Sequence, residues 1–486
     1  MSIRTAALWA ILSQYASFAI QFATSVIISR LFLRPADVGL FSIALGAAMM
    51  VAIFQDTGIT RFVSGQRDMR PDHVGEYAAV AIAIGWTVAA VVALAAPIVA
   101  RYYGLAPLAG LLRVIAASYI AAPLAVVPAA LLVREMNFRA LFHINAGSAL
   151  AGGGVAVGLA ARGFGAESLA WSLLATSVLR AGLAFALRPV VPRIPRNFSA
   201  IAPIMGFSSS SFVISASAAI GLRSQDLIVA RLLGVVATGL FSRAGALAAQ
   251  LSTLVTGAIG TVFYPVFARK RDAGEPLAAP YLHLVACTTA LNWASMVGLA
   301  LTAEPIVRLL YGPHWAGVSH LLRWTALGEM LFVAVPLQMD VPILLGRIRT
   351  LIWLNWLDTV ATVAILAIAC LYGVEMAAIS RLAYGLVWWV IYAPFQSRLV
   401  GFRFTALFPI YARSALCALA AGLPLLISTG FRSASASLGF GGLLVLSGMG
   451  VLTWLAALSL LHQAVWQECH QVLAAVLSKR RIKLSA

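Results

Sequence analysis

The chain has 486 residues, of which 62% are hydrophobic and 10% are charged. Soluble domains carry about a quarter charged residues, so this composition excludes a soluble enzyme and specifies a polytopic helical membrane protein. The formal net charge of +18 does not indicate nucleic acid. The cations sit in short clusters between apolar runs rather than on one basic face, which is how Lys and Arg hold loops on the cytoplasmic side of a membrane.

In chain order, the first apolar run, Leu8–Leu33, follows a single arginine and lacks a small-residue cleavage site. It reads as a retained first helix rather than a signal peptide. Val38–Thr60, Tyr77–Ala100, Leu108–Val133, Ala140–Ala161 and Leu169–Leu187 complete a first set of six spans. After the linker "RPVVPRIPRNF" come Phe207–Leu233, Val235–Phe263, Tyr281–Ala303, His320–Leu345, Leu351–Leu371 and Met376–Gln396, then Ala415–Gly430 and Leu438–Leu461. Each is close to the roughly 20 residues a helix needs to cross the hydrocarbon core. With the N-terminus inside, Lys and Arg favour the cytoplasmic loops roughly two to one, which predicts an even number of spans and both termini in the cytoplasm. Fourteen spans fit this rule, and so do twelve.

No connecting loop is long enough to house a catalytic domain, and no GxxxxGK[ST] motif is present, so neither an enzyme nor an ATPase is expected, and no cofactor. The four cysteines, Cys287, Cys370, Cys417 and Cys469, are scattered and imply no disulfide framework. The segment His462–Leu477 reads as an amphipathic interfacial helix ahead of a basic end. Its His462, Cys469 and His470 match no metal-site spacing, and no metal is expected.

Three pairs of landmarks recur in the same order. "SRLFLRPADVGLFSIA" is echoed by "ARLLGVVATGLFSRA", "IVARYYG…LLR" by "IVRLLYG…LLR", and "GAE" (Gly165–Glu167) by "GVE" (Gly373–Glu375). Colinear matches predict two homologous six-helix halves. Six is even, so both halves insert the same way round, the arrangement of a transporter whose halves rock about a site between them. The expected organisation is an N-terminal six-helix lobe (1–187), a basic Pro-rich cytoplasmic linker (188–204), a C-terminal six-helix lobe (205–397), two additional helices (398–461) and an amphipathic basic tail (462–486). At the repeated corner, Arg30 and Arg231 snorkel to the outer headgroups, and Gly39 and Gly239 are expected to let the chain turn into the next helix.

Two charges have no counterpart in the first half: Asp226 aligns with Ser25 and Arg243 with Ile43. A charge within a span is costly and needs a partner or a watery path. Asp226 can pair with Arg223 within its helix or with Arg243 across the hairpin, and Arg243 can instead face a cavity. Arg180, Glu329, Asp340, Asp358 and Arg381 are further charges expected to be buried, with Asp56 and Arg61 at the end of the second span.

These residues resemble a known family. Trp9 and Gln14 followed by "SRLFLRPADVGLFSIA", then "DTGITRFV" (Asp56–Val63), "QDLIVARLLGVVATGLFSRA" and "LYGPHWAGVSHLLRWTAL" (Leu310–Leu327) are similar to the bacterial polysaccharide-export proteins. These are lipid-linked oligosaccharide flippases of the multidrug/oligosaccharidyl-lipid/polysaccharide exporter superfamily. The resemblance implies an all-α bundle of twelve to fourteen helices, V-shaped, with a cationic cavity. It implies a bacterial inner-membrane protein that moves an undecaprenyl-diphosphate-linked oligosaccharide from the inner to the outer leaflet, with membrane lipid and polysaccharide polymerase machinery as partners. By position, Arg243 is then the first candidate for a cation facing the diphosphate, Arg61 the second, and Arg30, Arg180 and Arg381 follow. Asp226, Arg223, Asp358 and Glu329 are candidate charge partners. Arg suits phosphate because its planar fork donates paired hydrogen bonds. Outward movement of an anion is favoured by an inside-negative potential, so no ATP is expected to be needed. The alternatives are a multidrug and toxin extrusion cation antiporter, a membrane glycan polymerase or ligase, and a scaffold without transport. The first half's spans are nearly free of carboxylates apart from Asp56 at a span end, which disfavours the antiporter.

Overall fold

A computed structural model describes residues 3–55, 59, 63, 71–194, 202–429 and 440–461. Asp56, Arg61, part of the basic linker and the tail from His462 lie outside them. The described chain is all helix: α1 Ile3–Leu31, α2 Pro35–Ala52, α3 Pro71–Tyr103, α4 Pro107–Arg134, α5 Phe138–Ala160, α6 Ala166–Leu187, α7 Ala202–Leu233 and α8 Val235–Asp272. Then follow α9 Ala278–Leu301, α10 Ala303–Leu310, α11 Gly317–Val333, α12 Asp340–Leu344, α13 Ile348–Cys370, α14 Val374–Val400, α15 Leu407–Thr429 and α16 Phe440–Leu460. Among the described residues, 11 helices are long and apolar enough to cross a membrane. Helices α7, α8 and α11 lie at the positions of three further expected spans.

Short connections with left-handed glycines separate the helices. Gly104, Gly163, Gly234, Gly312, Gly373 and Gly401 all have positive φ, the conformation that ends a helix without a Cβ penalty. Polar caps are few. Asn137 accepts the Ala140 N–H at 3.2 Å to start α5, and Asp37 accepts the Arg34 N–H at 2.9 Å ahead of Pro35 in α2.

The contacts divide the chain into two compact units, Met1–Ser242 and Arg243–Ala486. In the first, α3 packs on α4, α5 on α6, and α4 on α6. In the second, α9 packs on α11, α13 on α14, and α11 on α14. The same neighbours therefore recur at the repeat-related positions. The first unit has an apolar core of Ile43, Val88, Val92, Leu111, Leu112 and Ile115, drawn from α2, α3 and α4. In the second, α15 and α16 close over α9, with Cys287, Ala290, Cys417 and Leu458 in one buried cluster. Cys287, Cys370 and Cys417 are buried and outside any disulfide.

The expected span His320–Leu345 is not continuous. Helix α11 stops at Val333, and the chain resumes as the short α12 after Pro336 and Leu337, whose φ is +53°. Proline removes a helical donor and the left-handed residue turns the chain. Carbonyls freed inside an apolar bundle must find donors, and here they do. Tyr411 donates to the Ala334 carbonyl at 2.7 Å, Tyr281 to Pro336 at 3.0 Å, and the Gln396 amide to Leu337 at 3.3 Å. Asp340, expected to be buried, starts α12 on the exposed surface.

Candidate functional site

The repeated corner is where the two repeats touch. A Cβ added to Gly39 would stand 1.9 Å from the Val235 carbonyl oxygen, and one on Gly239 would stand 1.9 Å from that of Pro35. The start of α2 and the start of α8 therefore cross backbone to backbone, each glycine seated on the other helix. One turn on, the Ser42 and Ser242 hydroxyls are hydrogen-bonded at 2.9 Å. Small residues three apart allow close crossing of helices in apolar surroundings, and a hydroxyl pair adds a modest bond. The expectation that Gly39 and Gly239 serve the turn is thus corrected. Neither has positive φ; the second corner turns at Gly234, and the first at Phe32, Leu33 and Arg34 ahead of Pro35. Around the crossing, Tyr103 donates to the Leu227 carbonyl at 3.2 Å. Arg231, expected to snorkel, lies with its guanidinium carbon 5.2 Å from the centre of the Tyr102 ring.

Arg243, on α8, lies against a pair of neighbouring aromatic rings. Its guanidinium carbon is 5.2 Å from the Tyr311 ring centre and 5.3 Å from that of Trp315. Both rings are buried, at 2% and 0% exposure, beneath the turn at Gly312 that joins α10 to α11. A planar cation against ring faces is attracted to their negative π-surface, by about 2 kcal/mol or more when desolvated. Arg243 thus fastens α8 to this turn. Tyr311 and Trp315 were within a sequence landmark, but nothing in their spacing marks them as a cage for a residue some seventy positions earlier.

The other charges separate into engaged and exposed groups. Arg381 on α14 donates to Glu329 on α11, both largely buried, and its guanidinium carbon is 5.5 Å from the Phe332 ring centre. Asp358 is one turn before Thr362 on α13, whose hydroxyl donates to the Asp358 carbonyl at 2.9 Å. Tyr392 on α14 donates to Asn355 on α13 at 2.5 Å. This polar seam joins α11, α13 and α14 inside the second unit. Arg223 and Asp226 are partly buried on α7. Arg30 lies at the end of α1 and Arg180 within α6, and both present surface outside the helix packing. Among the described residues no group of three His, Cys, Asp or Glu could hold a metal ion.

A family model described as "Polysaccharide biosynthesis protein" matches residues 27–320. The chain belongs to this family. The match takes in the Gly-Leu-Phe-Ser crossing, Arg243 and both rings of its cage. A curated relative, the succinoglycan biosynthesis transport protein ExoT of Rhizobium meliloti (strain 1021), is 28% identical over 343 residues, 70% of this chain and 68% of the relative. The lipopolysaccharide biosynthesis protein WzxC of Escherichia coli (strain K12) is 20% identical over 295 residues, 59% and 58% of the two chains. Among solved structures, the lipid II flippase MurJ in an inward closed conformation matches with a TM-score of 0.74 at 13% identity, covering 93% of this chain and 98% of that one. An inward-facing multidrug resistance MATE transporter of the MOP superfamily matches with 0.55 at 17% identity, covering 80% and 98%. The fold of this family member is the one that the flippase and the multidrug transporter share, and its relative ExoT is named as a transport protein.

Proposed function

We propose that this polysaccharide biosynthesis protein is a flippase that moves an undecaprenyl-diphosphate-linked oligosaccharide from the inner to the outer leaflet of the bacterial inner membrane. Both termini are cytoplasmic, and the polysaccharide polymerase machinery takes the product. The carrying observation is the crossing at Gly39, Ser42, Gly239 and Ser242. It joins the two repeats through small-residue contact and one hydroxyl pair, beside Leu227, Ala230 and Val235 packed on the apolar core of α2. In the proposed orientation this corner lies at the outer side, and its closure seals that side while the inner side loads. A sugar chain and a diphosphate cannot enter hydrocarbon unaided, so one side must stay sealed while the other is open.

The six-plus-six lobes with two added helices supply the halves that rock. Of the arginines, Arg180 and Arg30 are the cations we offer to the diphosphate. Arg180 stands about 21 Å along α6 from its start and about 10 Å from its end, and it is exposed. An arginine at that depth is costly against lipid and belongs on a watery path. Arg243 and Arg381 are engaged by rings and a carboxylate, and their part is to hold the second unit together. Transport draws on the membrane potential and needs no ATP.

The experiment replaces the chain in its host. Loss should cause the lipid-linked oligosaccharide to accumulate and surface glycan to disappear, with wild type restoring both. A Ser42→Cys, Ser242→Cys pair should restore both only under reducing conditions, because a disulfide holds the crossing shut. An unchanged lipid-linked pool together with altered sensitivity to cationic drugs would overturn the proposal in favour of the antiporter. Full function of the oxidised pair would overturn the role of the crossing.

A further inference from the structure

One sequence landmark carries polar residues in its second copy that its first copy lacks. Between "IVARYYG" and "LLR" the first half has six residues, and between "IVRLLYG" and "LLR" the second has eight. Counting back from the shared Tyr-Gly, Glu304 and Arg308 align with Ala96 and Ala100. Counting back from the shared Leu-Leu-Arg, Ser319 and His320 align with Ala109 and Gly110. Ala96 and Ala100 are buried in the apolar core of the first unit. The element therefore forms without these four polar side chains, and folding alone does not account for them.

All four line one pocket of the second unit, about 320 Å³ in volume, between α10, the turn at Gly312 and α11. Glu304 and Arg308 stand one turn apart on the same face of α10, and Ser319, His320 and Arg323 share a face of α11. Arg323 lies 3.7 Å from Glu304, close enough to attract and too far for a hydrogen bond between those atoms. The turn at the end of the pocket is seated on the buried rings of Tyr311 and Trp315, 5.9 Å apart. A site on such a base keeps its geometry without a ligand.

The lining mixes donors and acceptors at close range. A guanidinium has five N–H donors and a carboxylate about four lone-pair sites, so the pairing of Arg323 with Glu304 exhausts neither. Ser319 donates its hydroxyl to the Ala316 carbonyl at 2.7 Å and still offers oxygen lone pairs. A phosphate would have to sit beside the Glu304 carboxylate, and a cationic drug beside two guanidinium groups. An apolar ligand would strip water from five polar side chains. A ligand whose hydroxyls each donate and accept suits all five. We propose that this pocket binds a neutral sugar residue of the translocated glycan. The assignment rests on the flippase reading, in whose orientation the turn at Gly312 lies at the outer side, where the glycan emerges. The volume is that of about ten waters at about 30 Å³ each, enough for a sugar ring and too small for a long chain.

The test uses the full chain in phosphatidylcholine nanodiscs and saturation-transfer difference NMR. The probe is the set of oligosaccharides released by mild acid from the host's own surface glycan. Wild type should transfer saturation to the sugar ring protons, and inorganic phosphate at equal concentration should not reduce it. Ala316→Phe, at an exposed position of the lining, should fill the pocket and cut the signal at least about tenfold. His314→Phe, exposed on the same turn and outside the lining, should not change it. Arg323→Gln should weaken binding about tenfold, as expected for one lost hydrogen bond to a charged group. No transfer with wild type overturns the proposal, as does displacement by phosphate, which would make the pocket an anion site. An Ala316→Phe chain that binds like wild type overturns the placement. If Ala316→Phe fails to fold, wild type and Arg323→Gln still decide. A wild type that restores surface glycan in the host yet binds no saccharide overturns the pocket alone. Saccharide binding by a chain whose loss leaves the lipid-linked pool unchanged overturns the flippase reading alone.

Discussion

The two copies of the repeated corner share a backbone and differ in one residue that changes what each does. In the first copy, Ile43 is fully buried among Val88, Val92, Leu111 and Ile115, with Tyr103 packed against the same cluster. In the second, the aligned Arg243 lies against the adjacent rings of Tyr311 and Trp315. Tyr103 and Tyr311 each precede a left-handed glycine, Gly104 and Gly312, so the tyrosine is common to both copies. The tryptophan is not, since the aligned position in the first copy is Pro107. One fold element thus tolerates either an apolar plug or a cation, provided the surroundings supply either aliphatic side chains or a second ring. The glycine and serine just before it do not vary, because they meet each other.

The comparison is broken most severely by placing the second copy's residue in the first. Ile43→Arg puts a cation beside Tyr103 without the tryptophan. It should cost about 2.5–3.5 kcal/mol, the insertion penalty of an unaccommodated arginine, read as loss of membrane-inserted protein or a lowered unfolding midpoint in detergent. Gly39→Leu should cost about 1–3 kcal/mol through overpacking, because its side chain meets the Val235 backbone, which cannot swing aside as a flexible side chain can. Gly239→Leu should match it, and unequal losses would show that the crossing is not symmetric.

Arg243→Ala should cost about 2 kcal/mol of cation–π attraction, and Trp315→Leu should remove much of the same energy. A double-mutant cycle should therefore show coupling, while additive losses would count against the cage. Arg243→Lys keeps the charge but not the planar stack and should fall between the two. Smallest is Ser42→Ala with Ser242→Ala, at about 0.6 kcal/mol for a hydrogen bond between membrane helices. Its visible effect should be on transport rate rather than on unfolding, because in the proposed cycle the pair opens and closes.

How far this was legible in the sequence varies by element. The spans follow from hydropathy, since apolar runs of this length have no other stable state in a bilayer. The repeat was legible from three colinear landmarks and reappears as recurring helix neighbours. Gly-Leu-Phe-Ser was visible twice, but its role was misassigned to the turn. A glycine that permits a turn and one that permits an approach look the same in one dimension. The break after Val333 was marked by Pro336, yet a single proline often leaves a helix kinked but intact. Its full opening depended on Tyr281, Gln396 and Tyr411 arriving from three other helices.

The sequence by itself determined the membrane class, the helical content, the doubling of the architecture and the short list of charges that apolar surroundings must accommodate. These depend on composition and local periodicity, which act on neighbours along the chain. Only the tertiary structure decided which charges are spent. Arg243 goes to its rings and Arg381 to Glu329, while Arg180 stays exposed, because pairing energies depend on distances of a few ångströms between residues tens to hundreds apart in sequence. It also decided that the twice-written corner is one contact, since a surface that fits its own repeat can be recognised only once the two copies lie against each other.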